Sequence, residues 1–401
     1  MLRGFDSVPR TRIVYGPGVI ARAGELVAEL GFRRVLLVTD KGLVAAGHAE
    51  RVARYLEGAG LVVGCFDGAQ ENPTTVCVDA CLEVAREFGA EVIVGLGGGS
   101  AMDTAKGCNF LFSNGGQMRD YWGVGKASRP MLPFVAIPTT AGTGSECQCA
   151  ALIADEVTHQ KMACLDPKVA ARVAILDPEL TLSQPARVTA QTGIDAIAHA
   201  LETGVTSKRN AMSLMYAHRA FQLLVPGFPR VMADPSDLEA RGQMLLGAAM
   251  SGLAIESSML GAAHSAANPL TARHGLPHGE AVGMMLPAVI RFNAEDPGAK
   301  LAYAELASAP EIACVSEGLD RAVEALVGRV EYLLNCAGLP RSLAERGVRE
   351  DGLEVLSEEA AGQWTAQFNP RAVVAADFRQ LYAAALRPRG EGDGGGLVGA
   401  G

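Results

Sequence analysis

The segment VIVGLGGGSAMDTAK, residues 92–106, indicates the fold of the first half of this 401-residue chain. An apolar run suited to a buried strand ends abruptly in three glycines, and a helix-forming segment follows directly. Glycines let a phosphate approach the bare backbone, and a helix N-terminus offers N–H groups and the positive end of a dipole. Ser100 suits the N-cap of this helix, and Asp103 suits the acid of a capping box. The stretch predicts a strand, a phosphate-binding turn and a helix; a tight turn without a ligand is the alternative, because it matches neither GxGxxG nor the P-loop pattern.

Strand-like and helix-like segments alternate on both sides of this stretch. Short apolar runs typical of buried strands lie at Arg34–Thr39, Leu61–Phe66, Val92–Leu96, Phe134–Pro138 and Val173–Leu176. Helical spacing is found at Leu43–Gly58 and Val76–Phe88. An antiparallel pair is suited to Cys147–Ile153 and Gln160–Cys164. The alternation predicts βαβ units and a parallel sheet.

After Asp177 the sequence changes character. From Val188 to about Leu386 it is rich in Ala, Leu, Glu and Arg with helical periodicity, and β-branched runs nearly vanish. We therefore expect an α/β domain over residues 1–182 and an all-helical domain over residues 183–386. The Gly-rich end, residues 387–401, buries too little apolar surface to offset its ordering entropy, so we expect it to be disordered.

The composition excludes several classes of protein. Hydrophobic residues make up 49% and charged residues 20%, which excludes a disordered or fibrous chain. The formal net charge of -9 argues against nucleic acid or an anionic membrane surface as the main partner. No apolar run reaches the roughly 18–20 residues of a membrane span, and Met1–Arg12 lacks the apolar core of a signal peptide. Nine scattered cysteines fit free thiols in a reducing compartment, so we expect a cytoplasmic globular protein.

Asp40 closes the first predicted strand. An acid at that place in a doubly wound sheet binds a ribose hydroxyl and repels a 2′-phosphate, which favours NAD over NADP. The alternative role is the N-cap of the segment that follows, Lys41–Ala46.

A second loop, IPTTAGTGSE at residues 137–146, follows another strand. Four hydroxyl side chains fall within seven of its residues, more than a plain solvated turn needs. Such a loop suits hydrogen bonds to ribose and phosphate oxygens.

Four residues of the second half form a pattern that suits a metal ion. Asp195 and His199 are spaced to share one face of an otherwise apolar helix, where a buried carboxylate is costly unless it is paired or metal-bound. His264 lies among small residues, and His278 stands at the start of the next helical segment. Histidines that pack in the core with backbone partners are the alternative. One Asp and three His suit a divalent metal, with both Fe(II) and Zn(II) acceptable, and an open coordination position would admit a substrate oxygen.

These motifs resemble the iron-containing (group III) alcohol dehydrogenases. GGGSAMDTAK, IPTTAGTGSE, Asp195-x3-His199, His264 and Pro277-His278-Gly279 match that family in order and spacing over about residues 8–386. The resemblance implies a dehydroquinate-synthase-like fold, in which a Rossmann-type parallel-sheet domain precedes a helical metal-binding domain. It also implies a homodimer or a larger homo-oligomer.

The resemblance further implies roles for individual residues. Gly98, Gly99, Ser100 and Asp103 would lie at the pyrophosphate of NAD, and Thr139, Thr140 and Thr143 near the phosphate and the nicotinamide ribose. Lys161 would lie beside the cofactor and Asn72 would line the cleft, although a solvated lysine and a plain turn residue would look the same. The implied metal ligands are Asp195, His199, His264 and His278.

One position departs from the family. Many members carry a histidine four residues after the third ligand, near the substrate, and here that residue is Asn268. An amide does not act as a general base. His274 is one candidate for the proton relay, and water with the ribose hydroxyl is the other.

The expected activity is reversible hydride transfer between NAD(H) and a small alcohol or aldehyde, with a metal ion polarising the substrate oxygen. One alternative is a hydroxyacid–oxoacid transhydrogenase or a pathway-specific aldehyde reductase, whose acidic substrate Arg273 could recognise. A dehydroquinate-synthase-type lyase fits less well, because it needs a cluster of Lys and Arg where this sequence has Ala, Gly, Ile and Met.

Overall fold

The computed structural model describes residues 4–157, 160–340 and 342–386. Its strands are β1 (Arg12–Tyr15), β2 (Arg34–Val38), β3 (Val62–Phe66), β4 (Val92–Gly97), β5 (Gly123–Val124), β6 (Phe134–Pro138), β7 (Ala150–Ala154), β8 (Lys161–Leu165) and β9 (Val173–Leu176). Its first helices are α1 (Ala23–Ala28), α2 (Lys41–Ala45), α3 (His48–Gly58), α4 (Thr75–Phe88) and α5 (Gly99–Asn114). The later helices are α6 (Ala186–Val205), α7 (Ala211–Ala233), α8 (Leu238–Ser257), α9 (Ala262–His274), α10 (His278–Asn293), α11 (Pro297–Ser308), α12 (Leu319–Cys336), α13 (Leu353–Ala361) and α14 (Ala375–Ala385). The tail predicted to be disordered, residues 387–401, lies outside the described residues.

Six parallel strands form the main sheet in the order β1-β9-β6-β4-β2-β3. Every residue of β4 is buried, which explains why this central strand reads as one continuous apolar run. Gly97 at the end of β4 pairs with Pro138 at the end of β6. The two loops singled out in the sequence therefore leave the sheet side by side at its carboxyl edge, and the predicted parallel α/β architecture is confirmed.

A smaller sheet has the order β5-β8-β7, and β7 and β8 pair antiparallel as predicted. Strand β7 begins at Ala150, three residues later than expected, because Ser145–Cys147 form a 3-10 turn. Strand β1 was not predicted. It is a four-residue edge strand in which only Val14 is buried, so it lacks the apolar run that marked the inner strands.

From Ala186 onward the described chain has α-helices and 3-10 turns but no strand, which confirms the predicted change from alternating strands and helices to helices alone. The chain separates into two compact units, one running to Ala200 together with Asn210–Ser258, the other comprising Leu201–Arg209 and the residues from Met259 onward. The domain boundary predicted after residue 182 stays a prediction. Among the described residues no single helix is long and apolar enough to cross a membrane; α8 and α9 meet that test only when they are joined across a bend.

Candidate active site

The glycine turn after β4 has a backbone that only glycine adopts comfortably. Gly97 has φ +149, and a Cβ placed on it would lie 2.7 Å from the Cβ of Ala101. Helix α5 begins at Gly99, and its N-cap is Gly98 in an extended conformation, with no side chain hydrogen-bonded to cap it. The prediction that Ser100 is the N-cap is therefore wrong, because the chain turns into the helix two residues earlier. The helix starts with bare backbone, which suits an anionic ligand.

The second loop lies directly against the glycine turn. A Cβ added to Gly98 would lie 3.2 Å from the Oγ1 of Thr140, and one added to Gly99 would lie 3.0 Å from the Oγ1 of Thr143. The backbone N–H of Thr139 donates to the carbonyl of Gly97 at 3.0 Å. The structure therefore brings together the glycines and threonines singled out in the sequence. Hydroxyls and backbone N–H groups around a space that a Cβ would fill fit a pyrophosphate.

A buried lysine joins these two loops, and sequence reasoning gave it no role. The Nζ of Lys106 donates to the carbonyl and the hydroxyl of Ser145 at 2.6 and 2.9 Å, and to the carbonyls of Gln148 and Ala150 at 2.9 and 3.0 Å. Burial lowers the pKa of Lys106, and the nearby Asp103 opposes this effect. The available signal was its place on α5, seven residues and about two turns after Gly99.

Two carboxyl groups near this lysine have raised pKa values. Asp103 accepts a hydrogen bond from the hydroxyl of Ser145 at 3.3 Å and is not the acid of a capping box, so that prediction is wrong. Burial raises the pKa of Asp103 to about 6, although the charges of Lys106 and Lys161 oppose it. Burial likewise raises the pKa of Glu146, which sequence reasoning did not single out, to about 7. Because its charge acts on the pKa of Asp103, the predicted cofactor residue Lys161 lies near these carboxyl groups.

Asp40 performs the capping role that the sequence left open. Its carboxylate accepts the backbone N–H of Leu43 at 3.0 Å at the start of α2. A Cβ on Gly97 would lie 3.7 Å from the Oδ2 of Asp40, so this carboxylate also borders the glycine turn. Asn72 is exposed in a turn with φ +52, and its role in lining a cleft stays a prediction.

The predicted metal ligands lie on three helices. On α6, the buried Asp195 and His199 are one turn apart, with Asp195 Oδ1 and His199 Nε2 separated by 3.5 Å. The buried His264 is the third residue of α9, and its ring lies 5.4 Å from that of His278, the first residue of α10. A carboxylate and imidazoles match the donors that Fe(II) and Zn(II) accept.

Glu202, on the same helix as Asp195 and His199, holds His264. Its Oε2 lies 2.5 Å from the Nδ1 of His264, and its Oε1 accepts the backbone N–H of Ala263 at 2.7 Å. Sequence reasoning did not identify Glu202, although it follows His199 by three residues and so falls on the same side of the helix.

The residues considered for proton transfer are separated along α9. The amide of Asn268 donates to the Oε1 of Gln363 at 2.9 Å. His274 is exposed at the last residue of α9, ten residues after His264 and therefore about 15 Å farther along the helix axis. Arg273, considered for recognising an acidic substrate, forms an exposed ion pair with Glu359.

Comparison with known proteins covers nearly the whole chain. The profile of the family "Iron-containing alcohol dehydrogenase" matches residues 9–178, and that of "Fe-containing alcohol dehydrogenase family, C-terminal" matches residues 189–386. The NAD-dependent methanol dehydrogenase of Bacillus methanolicus is 34% identical over 93% of this chain and 97% of its own length. A crystal structure of 1,3-propanediol oxidoreductase superposes with a TM-score of 0.92 at 31% identity, covering 96% of this chain and 100% of that one. A sulfoacetaldehyde reductase from Bifidobacterium kashiwanohense, in complex with NAD+, has a TM-score of 0.86 at 28% identity, covering 96% and 99%.

Proposed function

Since the chain belongs to the iron-containing alcohol dehydrogenase family, we propose that it interconverts a small alcohol and its aldehyde at a metal centre formed by Asp195, His199, His264 and His278. The activity class follows from the family: the chain is an NAD-dependent alcohol dehydrogenase with a dehydroquinate-synthase-like fold. The single observation that carries the proposal is the buried pair of Asp195 and His199, a carboxylate and an imidazole one turn apart on α6.

The ligand set fits a divalent ion, with iron as the metal in the family's name and zinc as the alternative. A bound divalent ion supplies Lewis acidity, which lowers the pKa of an alcohol hydroxyl. The chain's own part is to hold the ligands in place. Helix α6 fixes Asp195 and His199 one turn apart, and Glu202 orients His264. His278 completes the set from the start of α10.

The two adjoining loops are proposed to bind NAD, which accepts or donates the hydride. Gly98 and Gly99 would lie against the pyrophosphate, with the hydroxyls of Thr140 and Thr143 beside it. The pyrophosphate would also be bordered by Ser100, in the first turn of α5, and by Asp103 and Thr139. We assign Lys161 and Asn72 to the cofactor site on the family resemblance. Asp40, next to the glycine turn, would bind the adenosine ribose and repel a 2′-phosphate.

The proton is proposed to leave through water or the ribose hydroxyl. Asn268 is an amide held by Gln363 and does not act as a base. His274 is exposed and about 15 Å along α9 from His264, too far for a direct hydrogen bond to a substrate bound there. This geometry makes water the simpler carrier.

We propose a small neutral substrate in preference to an acidic one. The acidic alternative draws support from the sulfoacetaldehyde reductase among the similar structures. Arg273, the residue considered for recognising an acidic group, is instead engaged by Glu359. We further propose a cytoplasmic homodimer or larger homo-oligomer without nucleic-acid or membrane partners. The net charge of -9 supports the proposal that neither nucleic acid nor a membrane is a partner. The edge strand β1, with Ile13 and Tyr15 exposed, supports self-association.

The proposal is tested by following the oxidation of NADH during the reduction of short aldehydes by the purified protein. The panel pairs neutral aldehydes with carboxylated and sulfonated aldehydes of similar length. Turnover of the neutral aldehydes supports the proposal. Turnover restricted to the anionic members would favour the acidic-substrate alternative, and none with any aldehyde would contradict the proposed substrate class.

A further inference from the structure

We infer that Glu202 is a positioning residue of the metal centre, acting on His264 and on the helix that carries it. The inference rests on the proposed metal-binding role of His264. Glu202 is 4% exposed, and each of its two carboxylate oxygens has its own donor. Oε2 faces the Nδ1 of His264 at 2.5 Å, and Oε1 accepts the backbone N–H of Ala263 at 2.7 Å. A single carboxylate therefore holds both the imidazole and the first turn of α9.

The start of α9 is built to receive this carboxylate. Its N-cap is Gly261, which has no side chain to cap the helix. Two distant residues supply acceptors instead: Glu202 at Ala263, and Asn369, whose Oδ1 accepts the N–H of Ala262 at 3.2 Å. A Cβ on Gly261 would lie 3.3 Å from Oε1 of Glu202 and 2.9 Å from Oδ1 of Asn369, so glycine admits both acceptors. A negative charge at a helix N-terminus is also favoured by the helix dipole.

The contact with His264 selects one tautomer of the ring. An ionised carboxylate only accepts hydrogen bonds, so the hydrogen must be on Nδ1 of the imidazole. In the neutral ring the lone pair is then on Nε2, the nitrogen available to a metal ion. Partners of this kind raise the basicity of a metal-binding histidine and fix the orientation of its ring. The carboxylate of Glu202 thus prepares His264 as a ligand before any metal is bound.

The decisive substitution is Glu202→Gln, which preserves size but removes one acceptor. If the amide oxygen caps Ala263, the NH2 group faces His264 and favours the tautomer with hydrogen on Nε2. If the amide is flipped, the NH2 group opposes the N–H of Ala263 and the cap is lost. We expect the affinity of the metal-free protein for Zn(II), measured by competition with a chromophoric chelator, to fall by about 10- to 100-fold.

Asn369→Ala is the matched control, because its Oδ1 caps the same helix start, while its amide group bonds Asn293 and the carbonyl of Arg371. We expect this variant to lose thermal stability but to keep an affinity for Zn(II) close to that of the wild type. Wild-type affinity in a folded Glu202→Gln protein would overturn the inference and leave the proposed metal centre standing. So would an equal loss of affinity in both variants, since that would mark a purely structural role.

A second variant covers the case in which Glu202→Gln does not fold. Glu202→Asp keeps the charge but is one methylene shorter, so it does not reach both donors at once, and weaker Zn(II) binding than in the wild type is expected. Wild-type affinity in this variant would overturn the inference. If the wild-type protein itself bound no Zn(II), the proposed metal centre would fail together with the inference.

Discussion

The ammonium group of Lys106 donates to both the backbone carbonyl and the hydroxyl of Ser145, at 2.6 and 2.9 Å. The first residue lies on the helix that follows the glycine turn, and the second lies in the threonine-rich loop. Because the cation is completely buried, it needs these oxygens and those of Gln148 and Ala150 as hydrogen-bond partners. The contact fixes the two proposed cofactor loops relative to each other.

Replacing Lys106 with Met should therefore weaken both stability and cofactor binding. The substitution leaves four oxygens, two of them on the buried Ser145, without their donor, and we expect the free energy of unfolding to fall by roughly 3–5 kcal/mol. The KM for NADH should rise more than kcat falls, because the loops lose their mutual position. Denaturant unfolding and steady-state kinetics measure the two effects. Lys126→Met, at an exposed lysine, serves as the control and should change stability by less than about 0.5 kcal/mol; equal behaviour of the two variants would refute the tethering role.

Replacing Asp40 with Asn separates its two roles. Asn caps a helix about as well as Asp, so the thermal stability should stay close to that of the wild type. The amide no longer repels a 2′-phosphate, and we expect the ratio of kcat/KM for NADPH to that for NADH to rise about tenfold, equivalent to about 1.4 kcal/mol. An unchanged ratio would show that Asp40 is only a helix cap.

The raised pKa of Glu146, about 7, predicts a dependence of stability on pH. Because this pKa is higher than that of the unfolded chain, folded Glu146 binds its proton more tightly. The resulting stabilisation is present below about pH 4.5 and is lost as the pH rises towards 7. We expect the free energy of unfolding to fall by roughly 3 kcal/mol more between pH 4.5 and 7.5 in the wild type than in Glu146→Gln. Chemical unfolding across that range measures the difference. The exposed Glu83→Gln should retain the wild-type slope, and a wild-type slope in Glu146→Gln would disprove the assignment.

His274→Ala should leave the dependence of kcat on pH unchanged. His274 is exposed at the end of α9 and is about 15 Å along the helix from His264, so we expect no part for it in proton transfer. Rate profiles from pH 6 to 9 provide the test. Loss of an ionisation from the profile of this variant would restore His274 as the relay.

The features of the fold and the site that could be predicted from the sequence depend on residues close together in the chain. The glycine turn was predictable because Gly97, at φ +149, tolerates no side chain. The pairing of Asp195 with His199 was predictable because residues four apart share a helix face. Ser100 was misassigned as a cap because that assignment depends on the residue at which β4 ends and α5 begins, which propensity defines only to within a few residues.

The features missed depend on partners far away in the sequence. Lys106 and Ser145 are separated by 39 positions, and Glu202 and His264 by 62. Helical periodicity shows which face of α5 or α6 is buried, but not which oxygen or imidazole lies opposite. The partners of Lys106 and Glu202 therefore depend on the tertiary structure.

The proposed metal centre is tested by the metal content of protein purified without oxygen, measured together with NADH turnover, for the wild type, His278→Ala and His48→Ala. His48 lies outside the proposed centre, where its ring is hydrogen-bonded to Ser183, and it serves as the control. We predict about one divalent ion per chain and full turnover in the wild type and in His48→Ala, and loss of both in His278→Ala. Full turnover by wild-type protein that carries almost no metal would disprove the role of the metal ion in hydride transfer.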